Sequence, residues 1–189
     1  MFAQLSRWLH RASRGWVTLA AAILFLVFTP LVLPDQAARF EAVAGSGPSP
    51  DQSLFYTPAD LYRMAESFGA AGRAAYVRAR WTFDVVWPLV YTGALATAIS
   101  WLARKAFTRG SRGRLLNLVP VAGMALDFGE NICTSLVIGR YPAATPVVDV
   151  LATVFTPLKW LFVGGSFVVL VGVAVIALAR ALRRNKEPA

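Results

Sequence analysis

The chain is poor in the residues that most catalytic and metal chemistry relies on. Its 189 residues include a single cysteine, Cys133, so no intramolecular disulfide can form and a cysteine metal cluster is excluded. The lone histidine, His10, stands beside Arg7, Arg11 and Arg14, where a solvated or headgroup-facing role is expected. No histidine is left for a histidine-based catalytic centre. No activated-nucleophile pattern, phosphate loop or metal motif occurs, and neither metal nor cofactor is expected. Charge is scarce too: 15% of residues are charged and 57% are hydrophobic, where soluble domains carry about 25% charged residues. That is the composition of a membrane protein. The formal net charge of +9 would suggest nucleic acid in a soluble protein, but the bases sit beside apolar segments, where they set topology. The bilayer, not nucleic acid, is the expected partner. Arginine outnumbers lysine and alanine is abundant, as in bacteria with GC-rich genomes.

What is present is a succession of apolar runs separated by basic or turn-forming segments. Residues 1–15 are basic, with Leu5, Trp8, Leu9 and Ala12 at helical spacing, which suits the cytoplasmic interface. Trp16 to Leu33 is uncharged and, at about 18 residues, just long enough to cross a bilayer core of about 30 Å. A cleaved signal peptide is the rival reading, because Ala42-Val43-Ala44 has the A-x-A form, but that triplet lies too far beyond the apolar run. Residues 34–80 form the expected outer loop. At its centre Gly45-Ser46-Gly47-Pro48-Ser49-Pro50 forms turns, and Thr57-Pro58-Ala59-Asp60 signals a capped short helix ended by Gly69. A helix from Gly72 is expected to run unbroken into the second span, 81–103, with Arg73, Tyr76, Arg80, Asp84, Trp87 and Tyr91 on one stripe. Pro88 should kink it and free the carbonyl of Asp84. The third span is placed at 115–138 and the fourth at 150–179, followed by Arg180, Arg183, Arg184 and Lys186. The basic clusters fall on one side if both termini are cytoplasmic. The expectation is a single all-α domain: a four-transmembrane-helix bundle in a bacterial inner membrane, with a long extracytoplasmic first loop carrying a short helix.

Within the third span, Ala125 to Thr134 reads A-L-D-F-G-E-N-I-C-T. Asp127, Glu130 and Asn131 share one helical face, with Thr134 a turn further on. An aspartate at mid-membrane costs about 2.5 to 3.5 kcal/mol on insertion scales, so this face must meet protein or water. At about 1.5 Å per residue from the cytoplasmic edges, Asp127 and Tyr91 stand about 18 Å up, Glu130 about 22 Å, Asp84 about 28 Å and Lys159 about 30 Å. Lys159 is thus placed to meet the acids, or else to snorkel beside Trp160 as an interfacial anchor. Asp84 is placed to meet them too, or to pair with Arg80 at the outer surface. Glycines at 123, 129, 164, 165 and 172 should let helices approach closely. A desolvated Asp127 is expected to hold a proton and donate it to a ligand oxygen.

In order along the chain stand Gly69-x-x-Gly72-Arg73-x-x-Tyr76, Asp84-x-x-x-Pro88-x-x-Tyr91, Asp127-x-x-Glu130-Asn131 and Lys159-Trp160. Over Thr57 to Trp160 the chain thereby resembles a family of small four-span bacterial integral membrane proteins. The resemblance implies the fold and supplies no catalytic residue. Without a motif match, the architecture is also similar to the fold of sterol isomerases and sigma-2-type receptors, whose intramembrane acids face an apolar ligand cavity. Three function classes are compatible with the sequence. One is binding or movement of an amphipathic, lipid-like ligand by Asp127, Glu130, Asn131, Asp84, Arg80, Lys159, Tyr91 and Trp87. Another is an accessory subunit of a membrane complex, or a homodimer. The third is a membrane-embedded lipid-modifying enzyme using paired carboxylates.

Overall fold

The computed structural model describes residues 1–184, so Lys186 of the expected C-terminal basic cluster lies outside the described residues. The described chain is helical, with no strand among those residues. Its helices are α1 (Phe2–Ala12), α2 (Gly15–Ala44), α3 (Pro58–Ser67), α4 (Gly69–Trp81), α5 (Phe83–Ala106), α6 (Val119–Arg140) and α7 (Val148–Arg184). Four helical segments, Gly15–Ala44, Gly69–Ala106, Arg112–Arg140 and Val148–Arg183, are long and apolar enough to cross a membrane. The chain divides into two compact units. One comprises Met1–Leu26, Val90–Ala122 and the chain from Phe162; the other comprises Val27–Leu89 and Gly123–Leu161.

In the first unit a small apolar core forms around Ala103, Ala106, Val173 and Ala177. Helix α1 is held by hydrogen bonds. The Ser6 hydroxyl donates to Asn117 Oδ1 at 2.8 Å, and Asn117 Nδ2 donates to the Ser6 carbonyl at 3.2 Å and to Ser100 Oγ at 2.9 Å. Arg104 donates to the carbonyls of His10 and Ser13, which satisfies acceptors that the end of a helix leaves open. The expectation that His10 faces water or headgroups is corrected. Its Nδ1 lies 3.1 Å from the Ser100 carbonyl and its Nε2 3.0 Å from that of Arg114, a polar niche not readable from local sequence. Burial holds the imidazole below its ordinary pKa; the two carbonyls oppose this, and the Arg114 and Arg104 charges add to it.

The second unit corrects several boundaries. Helix α2 does not stop at Leu33 but continues through Pro30 and Pro34 to Ala44, so the irregular part of the expected outer loop shrinks to residues 45–57. Apolar helices tolerate proline because surrounding groups satisfy the freed carbonyls. An Asp35–Arg39 pair at 2.8 Å supports the added turns, and Phe40 packs edge-on to Phe68 with ring centroids 5.1 Å apart. Gly72 permits the close approach of α4 here, since a Cβ on it would stand 3.0 Å from Ala44 Cα. The core of this unit is built from Leu61, Met64, Ala65, Phe68, Tyr76, Val137 and Ile138 with their neighbours.

Helix α3 begins as the sequence indicates. The Asp60 N–H donates to Thr57 Oγ1 at 3.2 Å and the Thr57 N–H donates to Asp60 Oδ2 at 2.9 Å, a reciprocal capping box with Pro58 in the first turn. Bonds from the Thr57 hydroxyl and N–H, then from Arg63, hold the Asp60 pKa down to about 2. Gly69, at φ +62°, takes the left-handed conformation that separates α3 from α4. The unbroken helix expected from Gly72 is in fact two helices. Thr82, at φ −122° and ψ −79°, interrupts the ladder, and its hydroxyl donates to the Arg78 carbonyl at 2.8 Å. The third span begins with a 3-10 segment, Arg112–Leu118, before α6, and α7 passes through Pro157 as one helix. Only part of the glycine expectation holds. A Cβ on Gly129 would meet the Phe155 ring at 3.2 Å, but Gly164, Gly165 and Gly172 have nothing within 4 Å of such an atom.

Candidate functional site

The second unit buries charge, and most of that charge is paired. On α6 the 3.6-residue repeat brings Asp127, Glu130, Asn131 and Thr134 to one face, and all four are buried. Glu130 Oε2 lies 2.5 Å from Lys159 Nζ, and Glu130 Oε1 accepts from the Thr156 hydroxyl at 2.8 Å. Lys159 is 6% exposed and Glu130 2%, so the snorkelling alternative for Lys159 is set aside, although the neighbouring Trp160 reaches the surface. The Trp160 indole N–H donates to the Ser53 carbonyl at 2.9 Å, and Lys159 Nζ stands 4.8 Å from its ring centroid.

On α4 and α5, Arg80 Nη2 lies 2.6 Å from Asp84 Oδ2, the i,i+4 pairing that the spacing offered as one of two fates for Asp84. The pair is buried, with 8% and 10% of the two side chains exposed, rather than at an outer surface. The other arm of the guanidinium, Nη1, reaches Asp51 Oδ1 at 3.4 Å, and the Tyr76 ring lies 4.6 Å below its carbon. Pro88 has no N–H to offer the Asp84 carbonyl, and Asn131 Nδ2 takes that acceptor at 3.4 Å while also donating to Asp127 Oδ1 at 3.3 Å. The freed carbonyl foreseen beside Asp84 thus becomes a tie between α5 and α6. Trp87 stacks on Phe28 at 5.8 Å. Tyr91 belongs to the first unit, where it is buried.

Three partners, Asp51, Tyr56 and Thr156, lie outside the residues singled out from sequence, and a fourth, Tyr76, falls on the Arg80 stripe but not among the expected binding residues. Asp51 sits in a 3-10 turn of the irregular segment, Pro50–Gln52, and accepts from the Ser49 hydroxyl. Burial pushes its carboxyl up, but the Arg80 charge, the Ser49 hydrogen bond and, further off, Lys159 together hold it below the ordinary carboxylate range. Tyr56 OH lies 3.0 Å from Thr156 Oγ1. Burial, reinforced by the charges of Glu130 and Asp51 and opposed by that hydrogen bond, pushes the phenol well above its ordinary pKa, so it stays neutral. One sequence signal for Asp51 existed, an acid directly after the turn prolines Pro48 and Pro50, but nothing local tied it to Arg80. Thr156 stands three residues before Lys159, on the same helical face, and could have been read from that spacing.

The cluster is not fully satisfied. Asp84 Oδ2 and Glu130 Oε2 meet their cations at ion-pair distance without well-aligned hydrogen bonds. Arg80 Nε and Ser135 Oγ, both buried, have no hydrogen-bond partner. A cleft of about 410 Å³ is lined by Phe40, Glu41, Ser49 and Gln52 among others, and the hydroxyl of its wall residue Ser49 donates to Asp51. Among the described residues no group of three or more His, Cys, Asp or Glu stands where it could hold a metal ion. No family model, no curated protein and no solved structure matches the chain.

Proposed function

We propose that this multi-pass membrane protein resides in a bacterial inner membrane with both termini cytoplasmic, and that its buried charge cluster binds the polar head of an amphipathic, lipid-like ligand. The observation that carries the reading is Arg80 Nε, a donor of a side chain only 8% exposed and without a hydrogen-bond partner. A network selected only for packing satisfies its buried donors, because each one left open costs about 1 to 3 kcal/mol. Ser135 Oγ is a second open group. Donors of this kind suit a hydroxyl, carbonyl or ester oxygen on the ligand, and the Ser49 side of the cleft offers the approach. Asp127, bonded to Asn131, contributes a further polar group on the α6 face that carries Glu130.

Native mass spectrometry after gentle purification tests the reading. The wild-type chain should retain a small amphiphile, Asp127→Asn should stay folded in detergent and retain less of it, and Asp127→Leu should retain none. Equal retention in the leucine variant, or no co-purifying amphiphile in wild type, overturns it. The accessory-subunit reading has one observation in its favour, that none of the 30 residues of α2 is fully buried, which leaves its outer face open to another chain.

The orientation rests on the basic segments at residues 7–14, 104–114 and 180–184. Thiol labelling of intact cells tests it. Ser49 makes a poor reporter because it is 2% exposed and bonded to Asp51, but Gly47 is exposed and open to a side chain. A Gly47→Cys thiol should react with an impermeant reagent before the inner membrane is opened, over a low background from buried Cys133. Reaction only after permeabilisation inverts the topology.

A further inference from the structure

Helix α1 is inside out for a helix resting on protein. Its buried positions are polar, with Ser6 2% exposed, Ser13 just past its end fully buried and His10 partly buried, while Phe2 is 69% and Trp8 57% exposed. Three stripes run along it at helical spacing. Ser6, His10 and Ser13 form the stripe that meets the protein: Ser6 and His10 reach Asn117, Ser100 and Arg114, and the Ser13 carbonyl accepts from Arg104. Phe2, Leu5, Trp8 and Leu9 form an apolar stripe, and Gln4, Arg7 and Arg11 form a third that is exposed. A solvated helix hides its apolar stripe against the protein; this one spends its polar stripe there and turns the apolar one outward. Gly15, three residues beyond the end of α1, opens the first membrane-crossing helix, so α1 lies at the level of the headgroups.

Charge is segregated to match. Of the ten acids in the chain, all but Glu187, which lies outside the described residues, fall in the second unit. The unit that contains α1 carries no aspartate or glutamate among its described residues, so no carboxylate there neutralises Arg7 or Arg11. We infer that α1 is a recognition helix for anionic phospholipid: Phe2, Leu5 and Trp8 enter the acyl boundary while Arg7 and Arg11 hold headgroup phosphates, with the Ser6–Asn117 and His10 contacts fixing the helix in register. This is independent of the ligand assigned to the charge cluster, which lies in the other unit.

The test uses the full chain in bilayer discs containing equal amounts of phosphatidylcholine and phosphatidylglycerol, with native mass spectrometry counting the lipids that stay bound. Phosphatidylglycerol should be retained in preference. Arg7→Gln should lower that preference about fivefold, and adding Arg11→Gln should lower it about fivefold again, the effect of one basic residue at a charged bilayer surface. Gln4→Glu, an exposed change on the same stripe, should lower it with both arginines in place, and thermal unfolding in pure phosphatidylcholine should be the same for all the variants. Trp8→Ala should reduce retention of both lipids alike. No preference in wild type, or a preference unchanged by both the double arginine variant and Gln4→Glu, overturns the inference.

Discussion

Glu130→Ala should unfold the protein well below the wild-type transition temperature, a loss of about 3 to 5 kcal/mol, because it leaves the Lys159 ammonium buried without a counter-charge. Lys159 is 6% exposed and its nearest anionic atom is Glu130 Oε2 at 2.5 Å. Lys159→Ala should be as damaging, for the mirror reason that Glu130 would then keep only the Thr156 hydroxyl among its side-chain bonds. The double replacement Glu130→Leu with Lys159→Met should recover much of the loss, since desolvating two charges consumes most of what their attraction returns and apolar side chains of similar size avoid that penalty. Thermal unfolding of the four proteins in one detergent completes the cycle. A single variant that loses less than about 1 kcal/mol would place the pair in water, where exposed ion pairs have that value, and would contradict the burial described above.

The double variant also separates stability from function. If it unfolds like wild type yet no longer retains an amphiphile, the pair serves the ligand; if it retains the amphiphile, binding rests on Arg80, Asp84 and Asp127.

Much of this arrangement is readable from spacing alone. The shared face of Asp127, Glu130, Asn131 and Thr134 follows from helical periodicity within an apolar run, the Arg80–Asp84 pair from an i,i+4 interval, and the freed Asp84 carbonyl from Pro88. The capping box at Thr57 is likewise local chemistry. Interactions decided by tertiary packing were not legible. Helix α2 reads as ending before Pro34 because proline stops helices in water, whereas an apolar setting and the packing of Phe40 on Phe68 carry it on to Ala44. Lys159 had two equally good fates until burial decided between them. Asp51 and Tyr56 lie in an irregular segment with no periodicity to place them, and only the folded chain shows that they reach Arg80 and Thr156. His10 misled for the same reason: its arginine neighbours along the chain point to solvent, but its ring is set between carbonyls about 90 and about 104 positions away.

Arg80 is the other position where one substitution should have a large effect, and the choice of replacement shows what the guanidinium does. It faces Asp84 with one arm and Asp51 with the other, while its plane covers Tyr76. Arg80→Met removes the charge and leaves Asp84 buried and unpaired, which should lower stability by about 3 to 5 kcal/mol. Arg80→Lys keeps the charge but replaces a fork by a point, so it can hold Asp84 or Asp51 but not both; the loss should be about 1.5 to 3 kcal/mol, the scale of a hydrogen bond to a charged group. The acid limb tells the two roles apart. In wild type Asp51 titrates below an ordinary carboxylate. Its pairing therefore stabilises the fold above the unfolded-state value of about 4, and that contribution is lost as pH falls through the lower folded value, because the unfolded chain then binds the proton more readily. In Arg80→Met the Asp51 carboxyl should return toward the ordinary range and its share of the acid limb should vanish; in Arg80→Lys it should persist only if the ammonium turns toward Asp51. Unfolding temperatures measured from pH 3 to pH 7 for the three proteins, with Asp51→Asn as reference, separate these outcomes. If Arg80→Met and Asp51→Asn both keep the wild-type acid limb, the Arg80–Asp51 contact contributes nothing to the fold, and Arg80 serves Asp84 alone.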